Sequence, residues 1–189
     1  VTASDRDGEH DGARTIEQLS TREVYRNAWL SLREDEVRFP SGALGTYTVV
    51  DKLDFVVVLP YADGGFWLVE QYRYPVRQRE WEFPQGGWSH GKTGTATELA
   101  AMELREETGF TAGSLVHLGR LWAAYGYSSQ GYDVFLASDL VEGDTAREAT
   151  EEDMIHEWRA LPEIRAMIAR GELRDAHTVA ALALYDLRS

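Results

Sequence analysis

The chain has no cysteine among its 189 residues, which excludes disulfides and thiolate zinc or iron sites from any account of its fold or chemistry. It also lacks an apolar run long enough to cross a membrane, and no basic start followed by an apolar core marks a leader at its beginning. A soluble cytoplasmic protein is therefore the expectation. Positive charge is scarce: 19 Lys and Arg stand against 32 Asp and Glu, a net of −13. That balance disfavours nucleic-acid and anionic-membrane surfaces as partners. A hydrophobic share of 43% suffices for one well-buried core in a chain of this length, and one domain is expected.

What the sequence does have is a concentration of acid at one place. Glu103-Leu-Arg-Glu106-Glu107-Thr-Gly109-Phe110 relates three carboxylates by three and four residues, so on a helix they converge. Thr95-Ala-Thr-Glu98 has the form of a capping box and Gly109 suits a left-handed stop, which predicts a helix from about 96 to 108. Its pattern puts Ala100, Ala101 and Leu104 toward a core and the three acids toward water. Such a cluster reads equally as a solvated acidic face or as a site for a hard divalent cation, which takes oxygen ligands. The preceding residues favour the cation: Trp81-Glu-Phe-Pro-Gln-Gly-Gly-Trp88 is a short apolar strand that runs through Pro84 into a glycine-rich loop opening on the helix.

Residues 86–110 resemble the Nudix box, Gly-x5-Glu-x7-Arg-Glu-U-x-Glu-Glu-x-Gly-U, of Nudix hydrolases. Glu103, Leu104, Glu106, Glu107, Gly109 and Phe110 match its second half. Met102 stands where the family has Arg, Gly94 falls at the first Glu, and the loop after Gly86 is about two residues longer. The runs Val69-Glu-Gln-Tyr-Arg73-Tyr-Pro75, Trp81-Glu82-Phe-Pro84-Gln85-Gly86, Gly126-Tyr-Ser128-Ser-Gln130 and Gly171-Glu-Leu-Arg-Asp175-Ala-His-Thr178 are similar to segments of the ADP-ribose pyrophosphatase group. Gln85 replaces the group's usual Ala and Gln130 its usual Glu. Phe-Pro-Gln-Gly-Gly also resembles hydrolases of dinucleoside polyphosphates and RNA 5′ ends.

The resemblance implies an α+β Nudix fold, a mixed β-sheet sandwiched between helices, preceded by an N-terminal β-segment. It divides the chain into a flexible tail (1–18), a dimerising β-segment (19–52) and a Nudix hydrolase domain (53–189). Strands are expected at 23–32, 36–39, 45–51, 55–61, 66–72, 115–123, 132–137 and 155–160, with helices from Pro162 to near Gly171 and from Ala176 to Leu187. The activity implied is metal-dependent hydrolysis of ADP-ribose or a related nucleoside diphosphate sugar. A dinucleoside polyphosphate pyrophosphohydrolase and a catalytically silent nucleotide-sensing module are the alternatives. Mg²⁺ or Mn²⁺ would be held by Glu103, Glu106, Glu107 and the backbone carbonyl of Gln85, with Glu106, Glu151 or Glu152 in the catalytic step. Trp29 and Tyr47 would stack on the base, unless they pack within a sheet. Arg73 would pair with phosphate, or with a surface acid, and Glu82, Ser128 and Gln130 complete the substrate-binding set. His177 and Trp88 stay outside it. A homodimer follows from the apolar positions of the N-terminal strands.

Overall fold

The computed structural model describes residues 15–88, 91–144 and 153–188. They form two compact units, one of residues up to Leu53 together with Trp122–Gln130, the other of Asp54–Leu121 and Gly131 onward.

The first unit is a three-stranded antiparallel sheet of β1 (Glu17–Arg26), β2 (Ser31–Arg38) and β3 (Leu44–Asp51), in that order. The continuous strand expected over 23–32 is broken. Asn27 turns the chain, its Oδ1 accepting from the amides of Trp29 (2.8 Å) and Leu30 (2.9 Å), a local bond that competes with the ladder. β1 opens at Glu17, within the last residues of the segment expected as a tail, because its backbone pairs with β2 from Glu17 opposite Arg38 onward, and its polar side chains also find partners there. Arg38 donates to Glu17 at 2.6 Å, Ser20 to Glu36 at 3.0 Å, and Arg22 pairs with Glu34. Such exposed pairs add little stability, so the backbone ladder holds the strand. Residues 122–130 return to this unit, where the Val50 amide donates to Tyr127 O at 2.8 Å.

The second unit is a seven-stranded mixed sheet with three helices. Its main path runs β10 (Ile155–Ala160), β5 (Gly65–Arg73), β4 (Phe55–Ala62), β9 (Gly131–Val141), β8 (Thr111–Trp122), while β6 (Gln78–Glu82) pairs with β5 and β7 (Gln85–Gly87) with β4. β4 and β9 are parallel, from Phe55 opposite Tyr132 to Pro60 opposite Ala137. The apolar run Val56–Leu59 is buried throughout, as a central strand covered on both faces requires. Val56 and Val58 pack with Leu99, Ala100 and Leu104 of α1 (Ala96–Thr108). Helices α2 (Leu161–Arg170) and α3 (Ala176–Asp186) follow β10, and Tyr185 of α3 meets Phe66, which in turn meets Phe83. The strand expected to run into Pro84 is β6, and the residues past it, expected to lead into a loop, form the short β7; Pro84 between them has no amide for a ladder, but its carbonyl accepts from Val58 at 2.9 Å. Among the described residues, no helix is long and apolar enough to cross a membrane.

Candidate active site

Helix α1 begins and ends where the sequence indicates. Thr95 Oγ1 accepts the Glu98 amide at 3.2 Å and Glu98 Oε2 the Thr95 amide at 2.8 Å, while Gly109 closes the helix at φ 81°. Its faces differ from expectation. Glu103 (7% exposed) and Glu107 (1%) lie inside the buried face with Leu99, Ala100, Leu104 and Thr108, and Ala101 is exposed. The reason is angular: at about 100° per residue Glu103 and Glu107 fall between Leu99 and Leu104, on the arc that meets the sheet, and Ala101 falls beyond it. The reading of a solvated acidic face is thereby overturned for these two carboxylates; Glu106 is half-buried at the arc's edge.

Strand β7 meets them. The Gln85 amide donates to Glu107 Oε2 at 3.3 Å, and a β-carbon on Gly86 would fall 2.5–2.6 Å from the Glu103 carboxylate. Beside β7, Glu82 is 2% exposed and is held by the guanidinium of Arg73, whose Nε donates to Oε2 at 3.1 Å and whose Nη2 pairs with Oε1; Gln71 Nε2 adds a bond of 2.8 Å. Burial pushes the Glu82 carboxyl up, and Arg73 only partly offsets it. Burial also opposes the charge of Arg73, but Glu82, Glu107 and Asp175 outweigh that and hold it more firmly protonated. Two of its donors are thus spent on Glu82 rather than offered outward. On the far side of Gln85, Asp175 caps α3: Oδ2 accepts the Thr178 amide at 2.8 Å and Gln85 Nε2 at 3.4 Å, and Oδ1 lies 3.4 Å from His177 Nδ1. Burial works against its charge, yet the bonds from His177 and Thr178 bring its carboxyl down to about 2.

This strand, loop and acidic helix lie within residues 52–182, which match the sequence model of the NUDIX domain. The chain belongs to the Nudix family. Residues 16–50 match the nucleoside diphosphate sugar hydrolase N-terminal domain. The Nudix chain is 33% identical over 177 residues to the ADP-ribose pyrophosphatase of Mycobacterium tuberculosis, covering 92% of this chain and 83% of that protein. It is 26% identical to the ADP-ribose pyrophosphatase of Bacillus subtilis, covering 90% and 92%. A crystal structure of an ADP compounds hydrolase superposes with a TM-score of 0.80 at 22% identity, over 92% of this chain and 93% of that one, and shows the same fold.

Nudix hydrolases generally act with a divalent metal ion. Among the described residues, no three His, Cys, Asp or Glu side chains form a metal-holding group. The donors present still fit a hard cation that needs only one or two protein carboxylates and fills its shell with water and substrate phosphate. Glu103 and Glu107 are the buried carboxylates that would serve such an ion, and the backbone of β7 lies against them.

Of the other residues singled out in the sequence, Gln85, Arg73 and Glu82 join this cluster. Glu151 and Glu152 lie outside the described residues. Trp29, Tyr47, Ser128 and Gln130 belong to the first unit. Trp29 is 70% exposed in the Asn27 turn, while Tyr47 on β3 reaches Gly126 O at 3.4 Å. Ser128 is buried and accepts the Gln130 amide at 3.2 Å, and Gln130 Nε2 donates to Leu53 O at 2.7 Å. Met102 packs on the α1 core cluster, and the Trp88 ring occupies the space a Gly94 side chain would need (2.5 Å), so apolar contact takes the place of an ion pair. Sequence reasoning placed Asp175 and Thr178 in a run similar to a segment of the ADP-ribose pyrophosphatase group but gave them no role; the signal for one was a residue able to cap a helix, three positions before a threonine.

Proposed function

We propose that the protein hydrolyses ADP-ribose, or a related nucleoside diphosphate sugar, to a nucleoside monophosphate and a sugar phosphate, with Mg²⁺ or Mn²⁺ and as a homodimer. The observation that carries the reading is the pair of buried carboxylates, Glu103 and Glu107, set against the backbone of Gln85 and Gly86. These two and the Gln85 carbonyl would hold the ion, with Glu106 at the rim. Bound there, the ion would neutralise phosphate oxygens and acidify the attacking water. In the overall reaction the water oxygen bonds to phosphorus, the anhydride P–O bond breaks toward the other phosphate, and the water proton leaves to a base. Glu151 or Glu152 is our choice of base on the sequence argument. Arg73 acts through Glu82, keeping that buried carboxylate compensated.

The relatives' ADP-ribose activity and the match of residues 16–50 to the sugar-hydrolase N-terminal domain support this substrate class. Trp29 and Tyr47 are the proposed stacking rings, with Ser128 and Gln130 as polar contacts. Gln85, in its Phe-Pro-Gln-Gly-Gly context, favours a dinucleoside polyphosphate as the second reading. The test is release of AMP and ribose 5-phosphate from ADP-ribose with Mg²⁺, with Mn²⁺ and with chelator, beside a dinucleoside polyphosphate. Cleavage of ADP-ribose that chelator abolishes supports the first reading. No cleavage of any nucleoside diphosphate derivative would sink the enzymatic one.

A further inference from the structure

The connection from Phe83 to Gly86 is gripped on both sides. Toward α1, the Gln85 amide meets Glu107 and Gly86 lies against Glu103. Toward α3, the Phe83 amide donates 2.8 Å to Thr178 Oγ1, a side chain with no solvent exposure, and the Gln85 side-chain amide donates to Asp175. Residue 85 therefore spans the two contacts, with its backbone on a carboxylate of α1 and its side chain on the cap of α3. Asp175 is itself fixed by the Thr178 amide, so the tether ends on a rigid helix start. The bonds at Gln85 are long, 3.3 and 3.4 Å, and individually weak, so the grip on the strand is the sum of these and the shorter Phe83–Thr178 bond of 2.8 Å. Met102, one residue before Glu103, is engaged with the apolar core and contributes no charge to the carboxylates.

We propose that the first turn of α3 positions the metal-binding carboxylates through Gln85: Asp175 holds the Gln85 side chain, Thr178 holds Phe83, and the strand so fixed sets Glu107 and Glu103. Asp175, Thr178 and the Gln85 side chain are positioning residues; none needs to touch the ion or the substrate. The inference rests on the hydrolase reading above. Outer partners of this kind typically change metal affinity by about 10- to 100-fold when removed.

The experiment uses the full chain and the variants Gln85→Ala, Asp175→Ala, their combination, and Thr178→Val. Gln85→Ala keeps the backbone amide and carbonyl and removes only the tether. Mn²⁺ affinity is read by electron paramagnetic resonance without substrate, and kcat and KM for ADP-ribose separately. The expected result for Gln85→Ala is Mn²⁺ affinity weaker by about tenfold, a lower kcat, a KM within about twofold of wild type and a nearly unchanged melting temperature. Adding Asp175→Ala is expected to cause no further loss of Mn²⁺ affinity, because both changes cut one tether. Thr178→Val keeps the volume and removes one acceptor, so it supplies the α3 arm should Asp175→Ala not fold. Wild-type affinity and kcat in Gln85→Ala would overturn the inference alone, as would fully additive losses. A wild-type chain that neither binds Mn²⁺ nor cleaves ADP-ribose would instead overturn the hydrolase reading and the inference with it.

Discussion

Gly86 lies so close to Glu103 that a β-carbon at residue 86 would stand 2.5 Å from Oε2 and 2.6 Å from Oε1 and Cδ. The backbone there is ordinary β7 strand, so alanine would cost nothing in dihedral angle. The whole penalty falls on where the carboxylate sits. Gly86→Ala is therefore expected to fold, with a melting temperature within a few degrees of wild type, and to lose at least about tenfold in turnover, some 1.4 kcal/mol of barrier. Turnover equal to wild type would show that Glu103 is not needed where it stands.

Glu107 is buried, so Glu107→Gln keeps the volume and removes the charge. An amide supplies no negative charge to a cation, and the expected outcome is loss of most activity and of Mn²⁺ binding with an unchanged circular dichroism spectrum. Unaltered metal affinity in a folded variant would place the ion elsewhere.

The capping box and Gly109 were legible because each is a local device read within a few residues of sequence. The buried run at Val56–Leu59 was legible because a covered strand must be apolar. The burial of Glu103 and Glu107 was not, although their angular positions between Leu99 and Leu104 put them on the core side, because residue type was allowed to override position; the close approach of β7 on that side completes the arrangement. The contacts of Asp175 and Thr178 were out of reach for a different reason: they act across a sequence separation of roughly ninety residues, on Gln85 and Phe83. The Asn27 turn was missed because the apolar residues on either side of it, Val24 and Leu32, continue a strand pattern that one side-chain oxygen interrupts.

Asp175 gives a pH dependence with a definite sign. Its carboxyl is lowered from 3.8 to about 2 in the fold, so it contributes stability that is complete above the unfolded value and is lost as pH falls through the folded one. The shift corresponds to about 2 kcal/mol. Urea denaturation of wild type and Asp175→Asn is expected to show a difference that is constant between about pH 5 and 7, shrinks below about pH 4 and is nearly gone by about pH 2. A difference that grew as the pH fell would contradict the assignment.

Met102 sits half-buried on the core cluster formed by Val56, Leu99 and Leu104 with their neighbours. Arginine there would give up that packing and bring a guanidinium within one turn of Glu106, where it competes with a metal ion for the carboxylate. Gly94 offers no acid to hold it. Met102→Arg is expected to lower the melting temperature and to leave turnover at or below wild type. A gain of about tenfold, or 1.4 kcal/mol, would show that the absent arginine alone limits the enzyme.

The N-terminal sheet bears on assembly. Every residue of β1 is exposed, and the first unit leaves Val24 (45%), Tyr25 (54%), Trp29 (70%) and Leu44 (71%) open to solvent. Soluble monomers rarely leave large apolar surface and an unpaired strand edge together, because both invite another chain. The proposed occupant is a second copy, with Trp29 and Tyr47 serving a substrate pocket. Light scattering at micromolar concentration is expected to give twice the 21.3 kDa chain mass. Removing residues 1–50 is expected to abolish the dimer and to weaken ADP-ribose binding well beyond any change in Mn²⁺ affinity, since Glu103 and Glu107 belong to the other unit. A fully active 21.3 kDa monomer would end the dimer hypothesis, and a folded truncated chain that binds ADP-ribose as tightly as wild type would show that the sheet contributes nothing to the pocket.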